Sequence, residues 1–168
     1  MQTVRFKNLN LSNDEFLLDM GCGEGRHSIG AYIETQANIL GLDLSMKDLK
    51  IAQKRLNDFD TSNIKSVCQF GEADIVSIPL LDSSLDAVIC SEVLEHVNSP
   101  QESIKELIRV LKPGGVLALS VPRFMPELIC WKLSKEYSKT PGGHVRIFTH
   151  QQLKKLGINN GLEYQSFH

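Results

Sequence analysis

The sequence predicts an α/β protein in which a mostly parallel sheet is doubly wound, with helices on both faces. Short apolar segments of strand type alternate along the chain with segments that carry helix-capping residues and helical spacing. Such alternation is typical of parallel sheets that are covered on both sides. At 168 residues, the chain is long enough for one domain with one core, and we predict a single domain over residues 1–168.

The junction between the first predicted strand and the first helix is the most informative segment. Residues 17–20 form a short, mainly apolar strand, and three glycines follow it at alternate positions, Gly21, Gly23 and Gly25. Glycine lets the backbone adopt positive φ and lets a ligand approach closely, because it has no Cβ. A glycine turn can also join a strand to a helix without any ligand, and that alternative stays open here.

The second predicted strand ends in an acid at the place where a nucleotide-binding fold needs one. Residues 38–42 are followed by Asp43, which lies about 20 residues beyond the glycines, the usual position of a ribose-binding acid. Ser45 then begins a helix, with Asp48 completing the pattern of a capping box. The glycines and Asp43 together predict an adenosine-containing cofactor.

Two further strands end in polar residues. The third, residues 64–71, leads through Glu72 into Ala73 and Asp74, and the fourth, residues 85–90, leads into Ser91. In open α/β sheets, ligands bind at the carboxyl ends of the strands. These polar residues are therefore expected at the same edge as the glycines.

The later elements are predicted from capping and stop signals. Ser99 is predicted as an N-cap and Pro100 as the first residue of a helix that runs to residue 111. The Lys-Pro-Gly-Gly sequence then stops the helix, and residues 116–121 are the fifth strand. Thr149, with Gln152 three residues later, predicts the capping box of a further helix.

Three segments together resemble the class I S-adenosylmethionine (SAM)-dependent methyltransferases, in particular the small-molecule type of ubiquinone and menaquinone biosynthesis. They are LLDMGCGEG, the Ala-Asp pair after the third strand, and CSEVLEHV followed by ELIRVLKPGGVLALSVP. The resemblance covers almost the whole chain and implies a Rossmann-like fold with SAM as the cofactor. A dinucleotide would need the spacing G-x-G-x-x-G, and Glu24 would repel its pyrophosphate, so an NAD-dependent reductase is the weaker alternative.

The resemblance also implies which residues bind the cofactor. Asp19 is expected to bind the amino group directly or through water, Asp43 both ribose hydroxyls, and Asp74 the adenine amine. Asp19 could instead cap the turn that follows it, and Asp74 could be an ordinary loop acid. Leu44 and Ile75 are expected to contact the faces of the adenine. The full predicted set is Asp19, Gly21, Cys22, Gly23, Gly25, Asp43, Leu44, Ala73, Asp74, Ile75 and Ser91.

The acceptor side is predicted to involve residues 122–148, as a variable substrate or lid region. A general base is needed only where the nucleophile carries a proton of high pKa. His144 is the first candidate for that base, His96 is the second, and Arg146 is the candidate for an anion or lid contact. The segment after the fourth strand lacks the Asn/Asp-Pro-Pro-aromatic run of many nucleic-acid methyltransferases, which favours a small-molecule oxygen or carbon acceptor.

A metal site is the alternative for part of this segment. Glu92, Glu95 and His96 would share one face if the segment were helical. Some relatives with this spacing bind a divalent ion, and His144 could complete the set of ligands. Many relatives with the same motif use no metal, so no metal is predicted.

The C-terminal end predicts an incomplete sheet. The family sheet has seven strands, and residues 162–168 are predicted as the sixth, whose usual partner, the seventh, is missing. The chain is either shortened or naturally minimal. An unpaired edge invites either pairing with another chain or partial disorder, and the first of these predicts a homodimer through the C-terminal edge. A catalytically inactive SAM-binding or partner subunit stays open as a second function.

Composition limits the possible partners. The net charge of −2 provides no basic field for nucleic acid. No apolar run is long enough to span a bilayer, and no signal peptide precedes the fold. The four cysteines show no metal-ligand spacing and are predicted to be reduced thiols. We therefore predict a cytoplasmic protein that acts on a small molecule.

Overall fold

The computed structural model describes residues 3–122 and 145–166. Within them, five strands form one sheet in the order β3-β2-β1-β4-β5, and all neighbouring strands are parallel. The strands are β1 (Phe16–Met20), β2 (Asn38–Asp43), β3 (Cys68–Glu72), β4 (Leu85–Ser91) and β5 (Leu111–Ser120). The helices are α1 (Arg26–Thr35), α2 (Met46–Asn57), α3 (Pro100–Val110) and α4 (His150–Asn159), and a 3-10 turn, Phe6–Leu9, precedes β1. The predicted Rossmann-like α/β architecture is confirmed.

The central strands bury side chains on both faces of the sheet. Leu18 and Val88 lie in a core cluster that includes residues of α3 and α4. Leu17 and Ile89, one position away in each strand, lie in a second cluster with α1 and Phe6. Because successive side chains of a strand point to opposite faces, β1 and β4 must be apolar at nearly every position. This requirement explains why their sequences read as continuous apolar runs.

Two predicted boundaries are wrong, and both errors lie near edge strands. The third strand begins at Cys68 rather than at residue 64. Helix α3 ends at Val110, and β5 begins directly at Leu111, which pairs with Leu85 before the register shifts. The Lys-Pro-Gly-Gly sequence is therefore an irregularity within β5 and does not separate the helix from the strand.

The three predicted helix caps have different outcomes. The Ser45 hydroxyl accepts the Asp48 N–H at 3.3 Å, and Thr149 forms the complete capping box with Gln152. Ser99 occupies the N-cap position of α3, but its side chain makes no capping hydrogen bond. The predicted role of the Ser99 side chain is therefore wrong, although Pro100 does begin the helix.

The predicted sixth strand is also wrong where the structure describes it, because residues 162–166 form no strand. The Leu162 N–H donates to the Gly157 carbonyl at the end of α4, and the chain then folds back along that helix. The Tyr164 ring lies 3.7 Å from Lys154 Nζ and 5.8 Å from the His150 ring, measured to the ring centroid in each case. These contacts with α4 replace pairing with the sheet.

Part of the predicted acceptor region lies outside the described residues. This applies to residues 123–144 of the predicted substrate or lid region, and so to His144. Among the residues that the structure does describe, no helix combines the length and the apolar character needed to cross a membrane.

Candidate functional site

The glycine loop is fixed to the end of β2 by its own backbone. The N–H groups of Gly21 and Cys22 both donate to the Leu42 carbonyl, at 2.7 and 3.0 Å. Gly21 and Gly23 have φ values of 75° and 51°, in the left-handed region that favours glycine. The alternate glycines thus let the chain turn sharply from β1 towards α1.

The three glycines meet different steric requirements. A Cβ at Gly21 would collide with the side chain of Val93, in the turn after β4, and one at Gly25 would lie 2.9 Å from Ala52. A Cβ at Gly23 would meet nothing within 4 Å. Gly21 and Gly25 therefore allow close packing of the protein with itself, whereas Gly23 borders open space at the edge of the sheet.

Asp43 connects the glycine loop to the start of α2. Its Oδ2 accepts the Gly23 N–H at 2.7 Å, and its Oδ1 accepts the Ser45 N–H at 2.8 Å. These two bonds fix the orientation of the carboxylate. Because Asp43 is only half-buried, part of it still faces solvent. The structure thus brings Asp43 and Gly23 together, as expected of a shared ligand site.

Asp19 lies deeper than a direct ligand contact requires. Its side chain is 1% exposed, and Oδ2 accepts the Ser28 hydroxyl at 2.6 Å. Burial raises the pKa of Asp19 to about 6, against the opposing effects of hydrogen bonds from the Ser28 hydroxyl and backbone. Because Ser28 lies in the first turn of α1, Asp19 caps that helix, whose N-cap residue Gly25 has no side chain. Of the two alternatives for Asp19, the geometry favours the structural one.

The residues after β3 divide into a buried pair and an exposed acid. Ala73 is buried, and its N–H donates to the Asp43 carbonyl at 3.1 Å. Ile75 is only 3% exposed and belongs to the core, so little of its side chain faces a ligand. Asp74 is exposed, and its Oδ1 accepts the Val76 N–H at 3.1 Å, which makes it a turn-forming residue as well.

Leu44, which follows β2, is 63% exposed and is available for apolar contact.

The segment after β4 is a turn and not a helix, which corrects the premise of the metal alternative. Glu92 has a φ of 59° and is exposed, as is His96, whereas Glu95 is buried. Because the two acids differ in burial, they do not line one common face with His96. Within residues 3–122 and 145–166, no three metal-ligating side chains come together.

A hydrogen-bonded cluster that the sequence analysis missed surrounds Ser91, which is 7% exposed. The Ser91 hydroxyl lies 2.7 Å from the hydroxyls of both Thr3 and Ser120. The Thr3 hydroxyl also lies 3.0 Å from His27 Nε2. The position of His27, two residues after Gly25, is a signal that could have marked it, but no local pattern connects Thr3 with Ser91.

Arg146 lies beside the turn that follows β4. Its Nη2 donates to the Asn98 carbonyl at 2.9 Å, and its guanidinium lies 6.0 Å from the centroid of the Phe148 ring. The adjacent Val145 N–H donates to the Glu95 carbonyl at 2.9 Å. These contacts bring the start of the 145–166 segment to the β4 side of the edge.

Two cavities lie at the opposite edge of the sheet. One, of about 470 Å³, is bordered by the end of α2 and the start of β3, and the other, of about 300 Å³, by the starts of β1, β4 and β5. Neither includes the glycine loop or Asp43. Strand polarity and the open space at Gly23, rather than cavity size, therefore locate the candidate site.

These observations define a class of protein before any comparison is made. The carboxyl ends of β1 and β2 carry a glycine loop, an oriented carboxylate at Asp43, and an exposed apolar side chain at Leu44. Such an edge suits a ligand that has hydroxyl donors and an apolar ring. The fold is that of a Rossmann-like α/β protein, and this edge is its candidate site for a nucleoside-type ligand.

Comparisons with known proteins identify the family. A family model described as a methyltransferase domain matches residues 18–119. A demethylmenaquinone methyltransferase of Lactobacillus johnsonii is 30% identical over 149 residues, which cover 83% of this chain and 60% of the relative. A ubiquinone biosynthesis O-methyltransferase of Dechloromonas aromatica is 36% identical over 111 residues, covering 66% of this chain and 46% of the relative. The chain therefore belongs to the methyltransferase-domain family.

The solved structures agree on the fold. The YcgJ protein of Bacillus subtilis has a TM-score of 0.78 and 20% identity, with coverage of 95% of this chain and 67% of that chain. The chain spans only 60% and 46% of the lengths of the two curated relatives named above. The predicted resemblance is confirmed at the level of family and fold.

Proposed function

We propose that the chain is a SAM-dependent methyltransferase that acts on an oxygen or carbon atom of a small molecule. The single observation that carries the proposal is the pairing of Asp43 with Gly23 at the carboxyl edge, joined by a 2.7 Å hydrogen bond. The relatives whose names specify quinone methylation support a small-molecule acceptor.

The residues present fit the cofactor. The open space beside Gly23 leaves room for a ligand close to the backbone. Asp43 offers free lone pairs to ribose hydroxyls, because each carboxylate oxygen can accept a further hydrogen bond. Leu44 offers an apolar surface to the adenine, and exposed Asp74 follows β3, the strand next to β2. These acids at the edge also suit a cofactor that carries an ammonium and a sulfonium.

The contribution of the protein to the reaction is mainly positioning. When bound, SAM supplies an electrophilic methyl group on a sulfonium. Holding the acceptor in line with that methyl supplies much of the rate without any acid–base group. We assign the acceptor side to the ends of β4 and β5, which lie beyond the glycine loop in the sheet order. His96 and His144 are the proposed bases for an acceptor that must lose a proton.

Binding and turnover test the proposal separately. Calorimetry with SAM and S-adenosylhomocysteine (SAH) should give dissociation constants in the micromolar range. These correspond to a binding free energy of about −8 kcal/mol. Incubation of metabolite extracts with methyl-labelled SAM should then yield a labelled small molecule, identified by mass spectrometry. Tight NAD binding without SAM binding contradicts the proposal. SAM binding without turnover across the substrate panel favours the inactive subunit instead.

We also propose a homodimer, with its interface moved from the predicted sixth strand to β5. Within the described residues, β5 pairs with β4 on one side and with no strand on the other. It spans ten residues and carries half-buried Val116, Leu117 and Leu119. A long apolar edge strand is a template for pairing with another chain.

We propose a cytoplasmic location because the described cysteines are free thiols, as is usual in a reducing compartment. Cys22, Cys68 and Cys90 are free cysteines in the described part of the chain. Burial raises the pKa of all three thiols, to about 12 for Cys68, which keeps them protonated and unreactive. Fractionation of cells that express the tagged chain tests the location, and recovery in a secreted fraction contradicts it.

A further inference from the structure

The segment before β1 reaches the acceptor side of the site through Thr3. Val4, Phe6 and Leu9 are buried in the same core cluster as Ala31 of α1, which fixes the body of this segment. Thr3 itself is exposed, and its hydroxyl lies 2.7 Å from that of Ser91 at the end of β4. We call residues 3–9 the N-terminal strap.

His27 holds the polar end of this strap. The Thr3 N–H donates to His27 Nε2 at 3.3 Å, and the Thr3 hydroxyl lies 3.0 Å from the same nitrogen. A backbone N–H can only donate, so Nε2 must be the unprotonated nitrogen of a neutral ring. His27 is 5% exposed, and burial together with the nearby Arg26 charge lowers its pKa to about 4. The ring therefore remains an acceptor at neutral pH.

The strap also contacts His27 through its apolar body. The rings of Phe6 and His27 meet edge to face, with centroids 6.4 Å apart and an interplanar angle of 87°. His27 is thus fixed by Phe6 on one side and accepts from Thr3 on the other. Its imidazole connects the first turn of α1 with the strap, and through Thr3 with the end of β4.

The Thr3 hydroxyl joins the two strands of the acceptor side. It lies 2.7 Å from the Ser91 hydroxyl and 3.4 Å from the Ser120 hydroxyl, and those two serines are 2.7 Å apart. Ser91 ends β4 and Ser120 ends β5. Displacing Thr3 would therefore open the edge at the point where these strands end.

We propose that the N-terminal strap forms one wall of the acceptor side of the site, and that His27 is the positioning residue that holds this wall closed through Thr3. The role of the wall in retaining ligand rests on the proposed function, whereas the role of His27 in holding Thr3 does not. His27 does not touch the reacting atoms in this proposal and acts only through Thr3.

Amide hydrogen exchange tests whether His27 holds the strap. In His27→Ala and in Thr3→Val, exchange in a peptide that covers residues 3–6 should accelerate by about fivefold to tenfold, as expected for the loss of one hydrogen bond. His27→Gln and Thr3→Ser restore an acceptor and a hydroxyl respectively, and should return exchange towards the wild-type rate. Lys7→Ala changes an exposed residue of the same strap and serves as the control. Unchanged exchange in a folded Thr3→Val variant overturns the assignment, even where His27→Ala fails to fold.

SAH dissociation, followed by stopped flow, tests the wall. The dissociation rate should rise severalfold in Thr3→Val and His27→Ala. It should remain at the wild-type value in Thr3→Ser and in Lys65→Ala, which changes an exposed residue before β3. If amide exchange accelerates but SAH dissociation does not, the proposed role of the strap in retaining ligand is wrong. The role of His27 in holding Thr3 would still stand. A wild-type chain that binds no SAH contradicts the proposed function, and the exchange comparison still decides the role of His27.

Discussion

Asp43 carries both a structural and a proposed binding role in one carboxylate. Its two oxygens accept backbone N–H groups from Gly23 in the glycine loop and from Ser45 at the start of α2. These bonds fix the side chain before any ligand arrives. A group that is already ordered loses little conformational freedom on binding, so more of its interaction energy remains as affinity.

Replacing Asp43 should therefore weaken cofactor binding clearly. Asp43→Ala removes charge-assisted acceptors for two hydroxyls, and calorimetry should show SAH binding weaker by roughly 1.5–3 kcal/mol. Circular dichroism should remain native. Asp14→Ala makes the same truncation at an exposed position before β1 and should leave affinity unchanged. Equal affinity in the two variants would show that Asp43 does not bind the ribose.

Asp19 makes the opposite kind of contribution, because its environment disfavours the charged form. Burial raises its pKa from 3.8 to about 6 in the folded chain. Between these values, the folded state binds more protons than the unfolded state. Stability contributed by the protonated form is therefore fully present below pH 4 and is lost as the pH rises towards 6.

This effect should appear as a difference between wild type and Asp19→Asn, which cannot titrate. Urea unfolding at pH 4, 5, 6 and 7 should show the wild type losing about 2 kcal/mol relative to the variant as the pH rises from 4 to 6. Other titrating groups, including His27, are common to both chains and cancel. A pH-independent difference would mean that Asp19 titrates at its ordinary pKa.

Helix starts in this fold are stabilised in different ways. Helix α4 uses the Thr149 side chain in a full capping box, whereas α3 begins with Pro100 and takes no capping bond from the Ser99 side chain. Proline needs no partner for its nitrogen, because it has no N–H to satisfy. The Ser99 carbonyl still accepts the Ser103 N–H at 3.0 Å, so the backbone of the helix start is intact.

The two caps provide a matched pair of variants. Thr149→Ala should reduce the free energy of unfolding by about 1 kcal/mol, the usual value of an N-cap side chain. Ser99→Ala should change it by less than about 0.5 kcal/mol, as for a substitution that removes no specific bond. Urea denaturation of both variants measures the difference. A larger loss at Ser99 than at Thr149 would contradict the cap assignment.

Among the strands that the structure describes, β5 is a long outer strand of the sheet, and this is where association is expected. β5 has ten residues, whereas the opposite edge strand β3 has five. A longer edge presents more unpaired backbone groups and more apolar side chains to a second chain. The residues after α4, which were predicted to form this edge, instead contact α4 itself.

Sedimentation should therefore detect a dimer of the 18.8 kDa chain at micromolar concentration. Ala118→Lys places a charge on β5 and should shift the mass to that of the monomer, since charges on edge strands oppose pairing. Removing residues 163–168 should leave the dimer intact. If that deletion yields monomers while Ala118→Lys does not, the C-terminal segment rather than β5 forms the interface.

The sequence by itself determined the elements whose causes are local. Gly21, Gly23 and Gly25 marked the turn after β1, and the apolar runs of β1 and β4 marked strands buried on both faces. The position of Asp43 after β2 and the capping box of Thr149 were predicted for the same reason. The positive φ of the glycines, the strand period, the bond of Asp43 to the Ser45 N–H and the Thr149 cap all involve neighbours in the chain, so the pattern itself contains the physical cause.

Only the tertiary structure decided which side chains meet across the sheet. Val93, seventy-two positions after Gly21, makes glycine necessary there, and Ser91 meets Thr3 eighty-eight positions away. The burial that raises the pKa of Asp19 likewise comes from elements distant in the chain. Residues 162–166 have strand-like composition, yet contacts of Tyr164 with Lys154 and His150 keep them on α4. Such contacts depend on how elements pack and not on local propensity, so no spacing in the sequence could indicate them.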